Sequence, residues 1–82
     1  MEFHYSNKAV QDFDDLSKDI QKRIAKKMRF YAAQRDPLKF AERLTDFREG
    51  QFRFRIGDWR VIFDVEVNHI YILRIKHRSK AY

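Results

Sequence analysis

Residues 51–66 read QFRFRIGDWRVIFDVE, and the alternation in this stretch decides the fold. Phe52, Phe54 and Ile56 alternate with Gln51, Arg53 and Arg55, the period of two that marks a strand with one buried face. Gly57-Asp58 follows as a two-residue hairpin loop. Trp59, Val61, Phe63 and Val65 then alternate with Arg60, Ile62, Asp64 and Glu66. Asn68 marks the next turn, and His69 to Arg78 reads as a third strand. Tyr71, Leu73 and Ile75 are predicted to face inward, with Ile70, Ile72, Arg74 and Lys76 opposite them.

The residues before this stretch supply the cover that such a sheet needs. Glu2 to Ser6 alternates Phe3 and Tyr5 with polar neighbours and predicts a short strand. Asn7 is the expected cap of a helix carrying Val10, Phe13 and Leu16. Ser17 caps a second helix, with Asp19 in its favourable first turn. Ile20, Ile24, Met28, Tyr31 and Ala32 keep helical spacing to about Arg35, where Asp36-Pro37 stops the helix. Leu38, Phe40, Leu44 and Phe47 predict a further short helical piece before Gly50. The fold class is therefore α+β. An N-terminal strand and a helical hairpin pack on one face of a small antiparallel sheet that ends in a three-stranded meander, one domain over residues 1–82.

Composition narrows the function. With 44% hydrophobic residues, two glycines and one proline in 82 residues, the chain folds rather than staying disordered. The absence of cysteine excludes disulfide scaffolds, Cys-ligated zinc and thiol catalysis. No apolar run is long enough to span a bilayer, and the start MEFHYSNKAVQDFDD lacks the features of a signal peptide, so a cytoplasmic location is expected. Eighteen Lys and Arg against twelve Asp and Glu give a net charge of +6, and nothing after Glu66 is acidic. That asymmetry points to a polyanionic partner, nucleic acid first and an acidic protein second.

Strand register turns the charge into a pattern. The Gly57-Asp58 loop pairs Arg55 with Arg60. A three-residue loop at Val67–His69 pairs Val65 with Tyr71, Phe63 with Leu73 and Val61 with Ile75, which keeps the core face apolar. The same register sets Arg60 opposite Lys76. Arg55, Arg60 and Lys76 thus form one row on the open face, with Arg53 and Arg74 one row along on either side of Ile62. Like charges directly opposite each other destabilise a sheet, so such a row holds an anion or repels unwanted partners. Arginine also grips phosphate bidentately.

Other features are weaker. His77 falls on the core side opposite Trp59, either as a packed residue or as a titrating group. Tyr82 stands either as a stacking platform for a base or as a packing residue at the domain edge. Lys22, Arg23, Lys26, Lys27 and Arg29 form the solvated back of a helix or a second basic contact. His4 and His69 stand apart in sequence, and no His/Asp/Glu spacing makes a metal site. Neither a Gly-rich phosphate loop nor a Ser-centred nucleophile motif is present.

The segment Gln51 to Phe63, QFRFRIGDWRVIF, resembles the hallmark of the RelE/ParE superfamily of bacterial and archaeal toxins. That hallmark is a strand of alternating basic residues, then Gly-Asp-aromatic-Arg, then an apolar strand. The ending HRSKAY is similar to the family's closing His-Arg-x-x-x-Tyr, and Leu44 matches the leucine that usually precedes the segment. The resemblance implies the toxin of a type II toxin–antitoxin pair. RelE-like members cut mRNA on the ribosome, whereas ParE-like members poison DNA gyrase on nearly the same fold.

For the RelE branch the resemblance implies that Arg53, Arg55, Arg60, Lys76 or Arg78, and Tyr82 carry activity. The candidate catalytic set is Arg55, Arg60, Lys76, His77, Arg78 and Tyr82, with Arg53, Arg74 and Lys80 as RNA-binding residues. Relatives often carry lysine where this chain has Arg53 and Arg55. Arginine stays protonated, so the titrating role falls to Lys76, His77 or Tyr82. No metal or cofactor is expected. The expected partners are an acidic antitoxin, the ribosome and mRNA, with no membrane contact.

Overall fold

The computed structural model describes residues 1–80. In chain order the elements are strand β1 (Glu2–Tyr5), helix α1 (Asn7–Asp14), helix α2 (Lys18–Ala32) and a 3₁₀ turn over Pro37–Phe40. Strands β2 (Glu42–Arg43), β3 (Phe52–Ile56), β4 (Trp59–Glu66) and β5 (His69–His77) follow, and a final 3₁₀ turn covers Arg78–Lys80. The strands form a single sheet in the order β1-β5-β4-β3-β2. This is the α+β arrangement expected, except that β1 runs parallel to β5, so the sheet is mixed rather than antiparallel, and β2 adds a fifth strand at its edge.

The helices start where small hydroxyl side chains satisfy their free amides. Ser17 caps α2 as predicted, but Ser6 rather than Asn7 caps α1. Ser6 Oγ accepts from the Ala9 amide at 3.0 Å and also donates to the Leu73 carbonyl at 2.8 Å. One residue thus ends β1, starts α1 and ties both to β5. Helix α2 ends at Ala32, three residues short of Arg35. The predicted helical piece after Pro37 is only the short 3₁₀ turn, and Glu42 and Arg43 pair with Arg53 and Phe52 as an edge strand.

The core lies between the helices and one sheet face. Ile24, Met28 and Tyr31 of α2 meet Phe54, Ile56, Val61, Phe63, Ile70, Ile72 and Ile75. Tyr31 stacks on Phe54 at 4.0 Å, and Phe54 on Phe63 at 4.5 Å. Helix α1 buries Ala9 rather than Val10, which is exposed.

The β4–β5 hairpin corrects the expected loop. The turn has two residues, Val67 and Asn68, so Glu66 pairs with His69, Val65 with Ile70 and Phe63 with Ile72. Ile70 and Ile72 therefore enter the core, and Tyr71 is exposed. Val67 takes φ 55, a costly conformation for a β-branched residue. Burying two isoleucines returns roughly 1.5–3 kcal/mol each, which outweighs that strain. A bulge at Leu73 then shifts the register by one residue, because Ile62 pairs with Arg74 while Phe63 pairs with Ile72. Beyond the bulge the pairs Ile62–Arg74, Val61–Ile75 and Arg60–Lys76 are those read from the sequence.

The outer sheet face is not open. The segment leading to Gly50 crosses it, and a Cβ on Gly50 would lie 2.7 Å from Ile62 Cγ2 and 3.4 Å from Leu73 Cδ1. Ile62 is consequently buried on a face predicted to be solvated. Only glycine lets the backbone approach this closely.

Candidate functional site

Register places Arg55, Arg60 and Lys76 side by side across β3, β4 and β5. Their environments differ sharply. Arg55 is exposed, whereas Arg60, expected on an open face, is only 3% exposed. The crossing segment brings Gly50 onto Ile62, two residues along β4 from Arg60, and Glu49 onto Lys76, its partner on β5. Arg60 Nη1 donates to the carbonyls of Gly57 at 2.9 Å and Trp59 at 3.0 Å. Its Nε is buried and has no hydrogen-bond partner. Among the described residues no carboxylate lies within ion-pair distance of Arg60.

The other cations of the row are paired. Glu42 Oε1 accepts from Arg53 Nε at 3.4 Å and stands 3.6 Å from Arg55 Nε. Lys76 Nζ donates to Glu49 Oε1 at 3.3 Å, and Arg78 Nε lies 3.7 Å from Asp58 Oδ1. These carboxylates relieve the like-charge repulsion that the bare row would suffer. Glu42 and Glu49 were not legible as site residues, because their positions depend on the short edge strand and on the crossing segment.

Arg74 is engaged by Asp12 of α1. Asp12 accepts from Arg74 Nε at 2.8 Å, from Arg74 Nη2 at 3.1 Å and from the Ile75 amide at 2.9 Å. Strand β1 pairs with β5 only as far as Ile72, so Asp12 continues the cover of that edge past the bulge. Partial burial pushes the Asp12 carboxyl up. Hydrogen bonds from Arg74 and the Ile75 amide, with the charges of Arg74 and Lys76, outweigh this and hold it below the usual carboxylate range.

His77 pairs with Trp59, as the register predicts, and the rings meet edge to face at 5.3 Å. Its Nδ1 shares a hydrogen bond with Ser79 Oγ at 2.9 Å. Trp59, Lys76, His77 and Lys80 line a concave surface of about 470 Å³ together with Asp12 of α1 and Asp15, the residue that caps it. From the helix cluster, Arg23 reaches the β3–β4 turn, with Nη1 3.6 Å from where a Gly57 Cβ would stand. Lys27 lies over the Phe30 ring at 5.5 Å. Tyr82 lies outside the described residues. The sheet therefore joins Arg53, Arg55, Arg60, Lys76, His77 and Arg78 at one end and commits Arg74 to Asp12.

The expectation that His4 and His69 stand apart fails. Parallel pairing of β1 with β5 brings His4 Nε2 within 2.9 Å of His69 Nδ1 at the other end of the sheet.

Comparison with known proteins agrees with this architecture. Among solved structures, the RelBE2 toxin–antitoxin complex from Mycobacterium tuberculosis superposes with a TM-score of 0.77 at 24% identity, covering 94% of this chain and 96% of that one. The RelB–RelE antitoxin–toxin complex from Methanococcus jannaschii gives 0.75 at 18% identity, covering 96% and 94%. The archaeal RelE–RelB complex from Pyrococcus horikoshii OT3 gives 0.73 at 25% identity, covering 98% and 97%. No curated protein sequence matches the chain. The sequence profile of the ParE toxin of the type II toxin–antitoxin system parDE matches residues 3–82. With that match running across all five strands and both helices, the chain belongs to the ParE toxin family of type II toxin–antitoxin systems.

Proposed function

We propose that this toxin is a ribosome-dependent mRNA endonuclease, acting in the cytoplasm and silenced by an acidic antitoxin. The observation that carries the reading is Arg60. A guanidinium without a carboxylate partner, with a buried Nε still unmet, lies between Arg55 and Lys76. A buried guanidinium that no carboxylate neutralises is poised for an anion, which explains its retention. Displacing the Glu49 segment would open the row to a phosphate.

The chemistry that fits is attack by the ribose 2′-hydroxyl on the adjacent phosphorus. The bond to the 5′-oxygen breaks, leaving a 2′,3′-cyclic phosphate and a 5′-hydroxyl. Negative charge grows on the phosphoryl oxygens, where Arg55 and Arg60 donate hydrogen bonds. One proton must leave the 2′-oxygen and one must reach the 5′-oxygen. Arginine transfers neither. Displacing Glu49 also frees Lys76, so the proton transfers fall to Lys76, His77 or Tyr82. The need for a 2′-hydroxyl selects RNA over DNA. Such sparse machinery is expected to depend on the ribosome to position the mRNA.

The three solved relatives are toxin–antitoxin complexes, which supports an antitoxin for this chain too. Its net charge of +6 favours an acidic one. A cleft of about 310 Å³ between the helices, walled by Val10, Phe13, Ile24 and Met28, offers apolar anchorage. Gyrase inhibition is the second reading, favoured by the family profile itself and by the carboxylates that already occupy much of the row. Arg60→Ala separates the two in a growth assay. Loss of toxicity with antitoxin binding intact supports the nuclease. Undiminished toxicity refutes it and directs attention to a supercoiling assay.

A further inference from the structure

The end of the sheet remote from Arg60 carries a second constellation. Register puts Glu2 beside His69 on β1, and Glu66 beside His69 on β4, so a Glu–His–Glu row crosses three strands. His4 lies one pleat along on the same face as Glu2. His4 Nε2 is 2.9 Å from His69 Nδ1, and Glu2 Oε2 is 3.3 Å from that same Nδ1. All three ligand atoms lie within 4.8 Å of one another. The Tyr71 ring stacks on His4 at 5.0 Å and packs beside His69 at 6.1 Å, which restrains both imidazoles.

We infer that Glu2 Oε2, His4 Nε2 and His69 Nδ1 form a binding site for a divalent transition-metal cation of the Zn²⁺ type. The geometry is close to what such an ion requires. Two nitrogens bound to Zn²⁺ at ~2.05 Å with a tetrahedral angle lie ~3.3 Å apart, so the histidines need to part by only ~0.4 Å. The Nδ1-to-carboxylate distance of 3.3 Å already suits the ion.

Proton counting supports the same reading. A hydrogen on His69 Nδ1 can point to His4 or to Glu2 but not to both, so one close contact lacks a good hydrogen bond in any neutral tautomer. A cation satisfies all three lone pairs at once. Two imidazoles with one carboxylate suit Zn²⁺ or Ni²⁺ rather than Mg²⁺ or Ca²⁺. Glu66 adds negative charge beside His69 in a chain that is otherwise strongly basic. The ligands stand on two paired strands, a rigid base for a site. Binding would clip the four-residue strand β1 to β5, independently of any RNA chemistry.

The test is titration of the full-length chain with ZnCl₂ alone, read by calorimetry and by long-range ¹H–¹⁵N spectra of the imidazoles. The expected result is one ion per chain, with coordination shifts at His4 Nε2 and His69 Nδ1 and none at His77. His4→Ala and His69→Ala should each weaken binding at least tenfold, and Glu2→Gln several-fold. A shift confined to His77, no binding, or equal binding by the native chain and both histidine variants would overturn the site. The spectroscopic arm uses only native protein, so it decides the matter even where a variant fails to fold.

Discussion

Arg60→Met separates what this side chain does for the fold from what it does for an anion. In the native structure Arg60 makes two charge-assisted hydrogen bonds to carbonyls, worth roughly 1.5 kcal/mol each, so about 3 kcal/mol is lost with the guanidinium. Against this, the substitution removes a charge that is 97% buried, has no carboxylate partner among the described residues and leaves its Nε unmet. Relieving that desolvation returns several kcal/mol, and methionine fills similar space. The two effects nearly cancel. Stability should stay within about 1 kcal/mol of native, a Tm change of at most about 4–8 °C for a domain of this size. Cleavage of ribosome-bound mRNA should fall by about 10²–10³, the loss expected on removing one preorganised donor to a developing oxyanion. Urea unfolding followed by circular dichroism and single-turnover cleavage measure the two quantities on the same preparation. A stability loss above about 3 kcal/mol would make Arg60 a structural anchor instead. Unchanged cleavage would remove it from the site.

Three further expectations follow from contacts around the row. Asp12→Asn should cost about 1–2 kcal/mol at neutral pH, discounted for the partial exposure of Arg74, by weakening the hold on Arg74 and the Ile75 amide. The folded-state Asp12 carboxyl sits low, so its contribution is complete above the unfolded value of about 3.9 and is lost as pH falls through the folded one. The gap between Asp12→Asn and native should therefore close below about pH 4, and urea unfolding as a function of pH checks this. Gly50→Ala should cost about 1–3 kcal/mol through the 2.7 Å approach to Ile62 Cγ2, and pairing it with Ile62→Ala should recover part of that loss in a double-mutant cycle. Glu49→Gln should free Lys76, raising RNA affinity about two- to fivefold at low salt and steepening the logarithmic salt dependence by about one, as binding isotherms at several ionic strengths would show.

Most of the architecture was legible because it rests on local rules. The alternation from Gln51 to Glu66 and the Gly57-Asp58 turn state the β3–β4 hairpin outright. The Arg60–Lys76 pairing was also legible, although the β4–β5 loop was not. The Val67-Asn68 turn and the bulge at Leu73 offset one another, so the register beyond the bulge matches the reading from a longer loop without one. A bulge has no local signature here, and Val67 in a positive-φ position runs against propensity. What stayed hidden depends on distant chain segments. Burial of Ile62 comes from the crossing segment before Gly50, and the His4–His69 contact comes from parallel pairing of the first strand with the last. The acidic partners Glu42, Glu49 and Asp12 belong to the same class. They are ordinary surface carboxylates until the tertiary fold sets them against the basic row.

The role proposed for the Arg55–Arg60–Lys76 row is cleavage of mRNA on the ribosome. Primer extension on a defined mRNA, with and without programmed ribosomes, tests it most directly. The expected result is discrete cuts only when a codon occupies the decoding site, upstream fragments ending in a 2′,3′-cyclic phosphate, and no cuts with Arg60→Ala. Cleavage of naked RNA at low enzyme concentration would contradict the dependence on the ribosome. Intact mRNA with translation unaffected would contradict the nuclease itself.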